Sequence, residues 1–420
     1  MTIVNESSSN QLPQFTILSG SFQPNSGVPK AVLTANDWQN SASSATGAYI
    51  HVPFCFHKCH YCDFFSIAGK EDQHEQFVER LLVELKEVGQ HLPELETVFI
   101  GGGTPTLLEE SLFDRMLAGI HSSIPMSSNV EFSIEANPET VTAQKAISMV
   151  EHGINRVSIG AQSFNLELLK VLERWHEPCS VKRAVDCVHA AGIQNVNLDI
   201  IYSIPTQTIE QVRFDLNQAM ALSPTHMSCY ALTYELNTPL LQRLRTGAIT
   251  RVDHDLEADM FDIVTEELES NGYAQYEISN YAKEGFTCKH NLMYWNNNNW
   301  WPFGPAAAGH IDGRRWRNAP RLRDYFVHAP LPLVEDVELL PKDTQAGEAF
   351  MMGLRLLRGM ERSWVESLVL QSSNQWRQAV IDRNCDSGLL QWEKNHLALT
   401  AKGLHFADSV ISEFLSKVDS

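Results

Sequence analysis

An alternation of short β-type runs with amphipathic helical stretches, between residues 48 and 234, leaves few folds open to this chain. Six runs rich in β-branched, aromatic and other apolar residues read AYIHV, TVFIGG, VEFSIEAN, NRVSIGAQ, NVNLDIIY and HMSCYALTY. Helical stretches such as EQFVERLLVELKEVGQHL, LFDRMLAGIHSSI and VKRAVDCVHAAG lie between them. Repeated βα units call for a parallel sheet, because each helix returns the chain to the same end of the sheet. The pattern therefore predicts an α/β fold, either doubly wound or curled into a full or partial barrel.

The segments outside this alternation differ from it in composition. Residues 1–46 are rich in Ser, Asn, Gln, Thr and Pro, which predicts a disordered N-terminal tail before a barrel core over residues 47–250. Residues 251–335 add an extension with a strand-like run, YAQYEIS, and an irregular aromatic segment, KHNLMYWNNNNWWPFGPAAAGH. Helices dominate residues 336–420. Within this region a helix is followed by the segment SGLLQW, a turn, the segment HLALT and a second helix, and this order predicts a winged-helix-like domain.

The charge balance and hydropathy narrow the functional classes. The chain has 51 acidic and 32 basic side chains and a net charge of −19, which argues against binding nucleic acid through its phosphates. No apolar run approaches the length of about 18 residues that a spanning helix needs, and the N-terminus lacks the pattern of a signal peptide. We therefore expect no integral membrane segment and a cytoplasmic location, where thiols stay reduced.

Three of the eight cysteines lie close together in HVPFCFHKCHYCDFFS, directly after the first β-type run. Cys55, Cys59 and Cys62 form the pattern C-x3-C-x2-C, which suits a loop that turns three thiolates toward one metal cluster. Structural zinc usually takes four ligands from two C-x2-C knuckles, and the sequence has no second knuckle. A [4Fe–4S] cluster is usually held by four cysteines, so three would leave one iron open to a substrate or cofactor. His57 and His60 are alternative ligands inside the loop.

The cysteine pattern after a strand resembles that of the radical S-adenosylmethionine (SAM) enzymes. In that family the open iron chelates the amino and carboxylate groups of SAM, and electron transfer from the cluster gives a 5′-deoxyadenosyl radical. The chain resembles one branch of the family in six segments, which occur in this order: YIHVPFCFHKCHYCDF, GGGTPTLL, IEANPETV, RVSIGAQSF, LDIIYSIPTQT and CKHNLMYW. That branch contains oxygen-independent coproporphyrinogen III oxidase and the heme chaperones of the HemW type. The resemblance covers about residues 47–420 and implies a partial (β/α)6 TIM-like radical SAM barrel.

The resemblance also implies which residues meet SAM. Gly102, Gly103 and Thr104, in GGGTP, match the loop at the aminoacyl end of SAM, whereas an ordinary strand-to-helix turn is the alternative. A P-loop is excluded because its Lys and Ser/Thr are absent. The other implied SAM contacts, some of them to a second SAM molecule, are Tyr49, Tyr61, Glu135, Gln162, Arg174 and Asp199. Without the resemblance, Glu135 could be a helix-capping acid, Asp199 a loop or cap residue, and Tyr49 a core residue.

Two local features favour the chaperone over the oxidase. Phe64 stands where the oxidase motif has a further cysteine. KHNLMYW resembles the H-N-x-x-Y-W segment associated with heme binding, and His290 is its candidate axial ligand for heme iron, with a surface histidine as the alternative. The chain departs from the family at Ser203, where glycine is common, and in WPFGPAAAG, where the family is richer in glycine.

We therefore expect a heme chaperone that holds a [4Fe–4S] cluster and SAM, carries heme or a related porphyrin as cargo, and passes heme to a recipient hemoprotein. An electron donor such as flavodoxin or ferredoxin would reduce the cluster. The first alternative is a coproporphyrinogen III oxidase, an oxidoreductase that oxidatively decarboxylates propionate side chains in porphyrin biosynthesis. The second is a zinc-stabilised barrel without radical chemistry. The sequence does not decide whether the radical is used in catalysis.

Overall fold

The computed structural model describes residues 35–372 and 375–415. The strands are Gly47–Val52 (β1), Phe54–Cys55 (β2), Ile67–Ala68 (β3), Leu95–Gly102 (β4), Met126–Ala136 (β5), Arg156–Gln162 (β6), Asn195–Tyr202 (β7), His226–Ala231 (β8), Ala274–Glu277 (β9), Asn280–Ala282 (β10), Trp300–Phe303 (β11), Ala308–Ile311 (β12), Arg314–Asn318 (β13), Val334–Leu339 (β14), Met360–Glu361 (β15), Leu390–Glu393 (β16) and His396–Leu399 (β17). The α-helices are Ala35–Ala42 (α1), His74–Gly89 (α2), Glu110–Ser123 (α3), Ala143–Glu151 (α4), Leu166–Val171 (α5), Pro178–Ala191 (α6), Ile209–Ala221 (α7), Pro239–Arg245 (α8), His254–Ser270 (α9), Lys289–Trp295 (α10), Leu322–Val327 (α11), Lys342–Gly353 (α12), Arg362–Leu370 (α13), Trp376–Asp386 (α14), Ala401–Leu404 (α15) and Ala407–Ser412 (α16).

The six predicted strands form the parallel centre of one large sheet, so the predicted α/β class is confirmed. The sheet order is β14, β13, β12, β11, β1, β4, β5, β6, β7, β8, β10, β9, with β1 and β4 to β8 parallel to one another. Strand β11 extends the parallel part on the other side of β1, and antiparallel strands complete both edges. Within the described residues the order does not close on itself, which agrees with a partial barrel.

Alternation along each parallel strand separates the core from the barrel interior. Val196 and Leu198 of β7 are fully buried among the apolar residues that pack against the helices. Asn197 and Asp199, which point the other way, are hydrogen-bonded to each other and to further polar groups. Because side chains of a strand alternate between its two faces, the inner face can be polar while the outer face supplies the core. The interior of this barrel is therefore a polar site enclosed by an apolar shell.

The segment predicted to be irregular, KHNLMYWNNNNWWPFGPAAAGH, is mostly regular, and that prediction is wrong. It contains helix α10, then strand β11, which pairs in parallel with β1 through Gly47 and Trp300. The carboxylate of Glu131 on β5 accepts hydrogen bonds from the first two amides of α10, Lys289 N at 2.9 Å and His290 N at 3.0 Å. Because these amides have no partner within the helix, the carboxylate stabilises the start of α10.

The C-terminal region has the predicted helices and hairpin. Strands β16 and β17 pair antiparallel, β15 joins β17, and helices α12 to α14 and α16 pack around a separate apolar core that includes Phe350, Leu397 and Phe414. Helix α12 also contacts the barrel, since Met352 is buried together with Met293 and Tyr294 of α10. The C-terminal region thus covers the outer side of α10.

Residues 1–34 of the predicted tail lie outside the described residues. The remainder of that range is ordered in part, because Ala35–Ala42 form helix α1 and Trp38 is buried. Its ring meets the edge of His91 at 5.0 Å between centroids. Regular structure is therefore present before the predicted boundary at residue 47. In the described residues, no helix combines the length and apolar character needed to cross a membrane.

Candidate active site at the carboxyl ends of the strands

The three motif cysteines lie in one loop beyond the carboxyl end of β1. Cys55 ends β2, and the backbone of Cys62 donates to Cys59 O at 3.2 Å, so the chain turns between the last two thiols. All three thiols are free. Burial raises the pKa of the Cys62 thiol to about 12, and the nearby Cys59 and Cys55 add to this rise. The three thiols therefore lie in one loop, with Cys59 and Cys55 close enough to act on Cys62.

The surroundings of the sulfurs suit an electron-rich cluster. Thr104 Oγ1 donates to Cys55 Sγ at 3.7 Å, and Arg174 Nη1 donates to Cys59 Sγ at 3.6 Å. The Nε of Arg174 is buried without a hydrogen-bond partner. Soft sulfur ligands with hydrogen-bond donors around them favour iron–sulfur clusters. Among the described residues no group of three His, Cys, Asp or Glu side chains is placed to hold a single metal ion.

The glycine loop at the end of β4 packs directly against the segment that carries Cys55. Gly102 has φ of +107°, and a Cβ there would lie 2.4 Å from the ring of His51. A Cβ at Gly103 would lie 2.5 Å from the backbone oxygen of Phe54. The backbone therefore approaches the cysteine loop in a way that side chains at these two positions would prevent. Thr104, the next residue, reaches the first sulfur.

Two half-buried carboxyls face the interior near this loop. Glu135 on β5 accepts a hydrogen bond from Gly102 N at 3.0 Å, and burial together with the charge of Asp199 raises the pKa of Glu135 to about 7. Burial also raises the pKa of Asp199, which accepts hydrogen bonds from Asn197 and Ser158. The capping alternatives are wrong: Asn137, not Glu135, caps the helical turn that follows β5, and Asp199 lies within β7.

Three further predicted residues gather beside the second cysteine. Gln162 ends β6 with φ of +62°, at an irregularity in the pairing with β7. Arg174 Nη2 donates to Gly160 O at 3.0 Å, and a Cβ at Gly160 would lie 2.8 Å from both Arg174 and Gln162. Tyr61 packs against an apolar cluster that includes Leu168 and Leu172. The charge of Arg174 acts on the Tyr61 hydroxyl, whose pKa burial raises.

Tyr49 connects the interior to the cysteine loop through a residue that the sequence did not single out. Tyr49 Oη lies 2.9 Å from His51 Nδ1, and His51 Nε2 lies 2.9 Å from the backbone oxygen of Phe65. Because a carbonyl oxygen only accepts, Nε2 carries the proton and Nδ1 accepts from the Tyr49 hydroxyl. His51 therefore fixes the chain three residues after Cys62. Only its place on β1, two residues after Tyr49, could have indicated it.

His290 does not join this group. It lies at the amino-terminal end of the strands, 2% exposed, with Nδ1 at 2.9 Å from Thr97 Oγ1 and Nε2 at 3.0 Å from Tyr294 Oη. Its ring stacks on Phe99, and burial lowers its pKa to about 3. The surface-histidine alternative is therefore wrong. As folded, both nitrogens of His290 are engaged, so coordination of iron would require these hydrogen bonds to break.

The two departures from the family pattern fall on left-handed backbone. Ser203 has φ of +61° and Ala306 has φ of +64°, in the region that glycine adopts without a steric penalty. Ser203 Oγ donates to Glu257 Oε2 at 2.9 Å, which offsets part of the strain at that position. Ala306 is buried.

Comparisons with known proteins agree with this geometry. A model of the radical SAM superfamily matches residues 49–219, and a model of the HemN C-terminal domain matches residues 340–406. The heme chaperone HemW of Escherichia coli (strain K12) is 36% identical over 378 residues, which are 88% of this chain and 98% of that protein. HemW of Lactococcus lactis is 32% identical over 368 residues, 88% of this chain and 97% of that protein. The structure of coproporphyrinogen III oxidase HemN from E. coli matches with a TM-score of 0.78 and 18% identity, over 92% of this chain and 94% of that one. This last likeness bears on the fold alone.

Proposed function

We propose that this chain, which belongs to the HemW family of radical SAM proteins, is a heme chaperone that binds heme and delivers it to a recipient hemoprotein. The observation that carries this proposal is the identity of 32% and 36% to HemW proteins over 88% of the chain. The coproporphyrinogen III oxidase alternative is not favoured. Its support is a fold likeness at 18% identity, and Phe64 occupies the position of the oxidase's further cysteine.

The family implies a [4Fe–4S] cluster and SAM as cofactors. We assign the cluster to Cys55, Cys59 and Cys62, because these three free thiols share one loop with donors directed at two of the sulfurs. When bound, the cluster supplies one-electron transfer. Arg174 and Thr104 then have a defined task in this chain. Each donates a hydrogen bond to a sulfur, which stabilises negative charge there and sets how readily the site accepts an electron.

We assign SAM to the space between the glycine loop and the two interior carboxyls. Gly102 and Gly103 hold the loop against the cysteine segment, and Glu135 and Asp199 supply acceptors for an ammonium or for ribose hydroxyls. The remaining proposed contacts are Tyr49, Tyr61, Thr104, Gln162 and Arg174. Burial and the charge of Asp199 raise the pKa of Glu135 to about 7, so this carboxyl carries its full negative charge only above that pH.

The cargo, the recipient and the reductant that we propose follow from the same family. A heme chaperone of this type requires heme, a hemoprotein that receives it, and a reductant for the cluster. We propose a small electron carrier of the flavodoxin or ferredoxin class as the reductant. We also propose a cytoplasmic location. All eight cysteines are free in the described residues, which suits a reducing compartment.

Anaerobic reconstitution tests the proposal. Wild-type protein should bind about four irons and four sulfides, bind SAM, and take up heme without converting coproporphyrinogen III. The triple variant with Cys55, Cys59 and Cys62 replaced by alanine should lose iron and sulfide, whereas replacement of Cys179, an exposed cysteine outside the loop, should not. Formation of protoporphyrinogen would favour the oxidase. Zinc without iron or sulfide in anaerobically purified protein would contradict the cluster.

A further inference from the structure

Beside the cysteine loop lies an exposed group of aromatic rings that have no part in the proposed cluster and SAM sites. This aromatic patch consists of Phe56, His57 and Trp175. Phe56 is 67% exposed and Trp175 is 62% exposed, which makes them the most exposed aromatic side chains in the described part of the chain. Their ring centroids are 6.3 Å apart. Large apolar side chains clustered on a surface are typical of a binding site for an apolar ligand or a partner.

His57 is the polar, half-buried member of the aromatic patch. Its ring stacks on Trp175 with 4.1 Å between centroids and an interplanar angle of 8°. Its Nε2 is buried and unpaired. His290, in contrast, has both ring nitrogens hydrogen-bonded and is 2% exposed. An imidazole nitrogen must offer a lone pair to coordinate iron, and His57 Nε2 has no hydrogen bond to lose, whereas His290 must first lose two partners.

We propose that the aromatic patch is the heme-docking surface of this protein and that His57 supplies an axial ligand to the heme iron. The inference rests on the proposed chaperone function. A porphyrin is a flat apolar macrocycle with a metal at its centre and two carboxylates at one edge. Phe56 and Trp175 offer apolar surface for the macrocycle, and His57, stacked on Trp175, offers a ligand for the metal.

The charges beside the aromatic patch fit the carboxylate edge of the same ligand. Lys58 follows His57 in the chain and is exposed. Arg243 of α8 acts electrostatically on the neighbouring His60, whose ring centroid is 6.4 Å from that of His57. Glu173 accepts a hydrogen bond from Trp175 Nε1 at 3.4 Å, and its charge acts on His60 more strongly than that of Arg243 does. Lys58 can therefore pair with a propionate, in a chain whose overall charge is −19.

Heme titration of the full-length, cluster-loaded protein tests this assignment. Iron and sulfide are measured on each variant, so that heme binding is compared at equal cluster content. His57→Ala should weaken ferric heme binding about tenfold or more and change the electron paramagnetic resonance signal of the heme iron. Phe56→Ala and Trp175→Ala should weaken binding without changing that signal, because the axial ligand remains. His290→Ala should bind heme as the wild type does. His254→Ala, at an exposed histidine of α9, is the matched control.

Three results would overturn the inference. The first is a His57→Ala variant with wild-type affinity and an unchanged iron signal. The second is loss of the iron ligand in His290→Ala, which would move the site to α10. The third is wild-type protein that takes up no heme, which would overturn the proposed chaperone function as well. The first two results leave that function standing and reject only the site.

Discussion

The buried carboxylate of Glu131 offers the sharpest test of how α10 is held inside the barrel. Glu131 lies on β5 and accepts from Lys289 N at 2.9 Å, from His290 N at 3.0 Å and from Cys288 Sγ at 3.3 Å. These bonds join residues more than 150 positions apart in the chain. The perturbation is Glu131→Gln, which keeps the size of the side chain but removes its charge and one of its two acceptor oxygens.

The size of the effect of Glu131→Gln follows from the two backbone amides that the carboxylate accepts from. The glutamine oxygen can serve one N–H, and the other remains buried without a partner, at a cost of about 1–3 kcal/mol. Loss of a negative charge at a helix amino terminus adds roughly 0.3–1 kcal/mol, or up to about 2 kcal/mol in a buried setting. We therefore expect local opening of α10 to become easier by about 2–3 kcal/mol. At 1.4 kcal/mol for each factor of ten, this is a roughly 30- to 140-fold rise in the open population.

Hydrogen exchange measured by mass spectrometry on peptides covering residues 286–300 is the direct assay, because it reports local opening rather than global unfolding. Glu96→Gln is the control, since Glu96 is exposed on β4, the strand that carries Thr97. The expected result is faster exchange in these peptides for Glu131→Gln alone, with the C-terminal core unchanged. Equal exchange in the variant and the wild type would show that packing, not the carboxylate, holds α10.

Three further predictions concern stability and the cluster. Ala306→Gly should raise the free energy of unfolding by up to about 1 kcal/mol, because φ of +64° strains alanine, and a lower denaturant midpoint would contradict this. Burial raises the pKa of Glu84 to about 7, so folded protein keeps a proton that the unfolded chain releases near pH 4.5. The free energy of unfolding therefore falls as pH rises from about 4.5 to 7, by at most about 3 kcal/mol. Glu84→Gln should make the melting temperature less dependent on pH between pH 5 and 8. Thr104→Val should lower the reduction potential of the reconstituted cluster in a redox titration, because it removes the donor to Cys55 Sγ, while an unchanged potential would argue against that contact.

The parallel strands were predictable because each carries its own signal. In NVNLDIIY the apolar positions alternate with Asn197 and Asp199, and both faces of β7 are enclosed. Since parallel strands end at one edge of a sheet, residues at their carboxyl ends must meet. That geometric rule, together with the family resemblance, is why Gly102, Glu135 and Gln162 were expected at one site, and the structure brings them there.

Helix α10 and strand β11 were not predictable by the same means. Helix α10 has seven residues and is enclosed on several sides, with His290 and Met293 against Thr97 of β4 and with α12 nearby, so it has no amphipathic period. Its amino-terminal stabiliser, Glu131, is distant in sequence. The run of asparagines that follows favours turns. Only tertiary contacts make this segment regular, and a local pattern does not carry that information.

Tyr49 and His51 show a second limit of sequence reasoning. The family resemblance indicated Tyr49, but its hydroxyl meets His51, and His51 in turn meets the backbone of Phe65. Every residue has a backbone carbonyl group, so no sequence pattern shows which of them accepts a given hydrogen bond. The orientation of the cysteine loop therefore depends on a contact that only the structure reveals.

The two candidate heme ligands respond differently to loss of the Glu131 carboxylate, and this separates them without removing either histidine. If heme required His290, its apparent affinity would be the intrinsic affinity multiplied by the open fraction of α10. Glu131→Gln would then tighten heme binding by the same roughly 30- to 140-fold by which it raises opening, as long as the open state stays a minority. His57 lies on the cysteine loop, beyond β1, and does not depend on α10. With His57 as the ligand, heme affinity should stay at the wild-type value while exchange at residues 286–300 accelerates, and a parallel rise of both would refute the assignment to the aromatic patch.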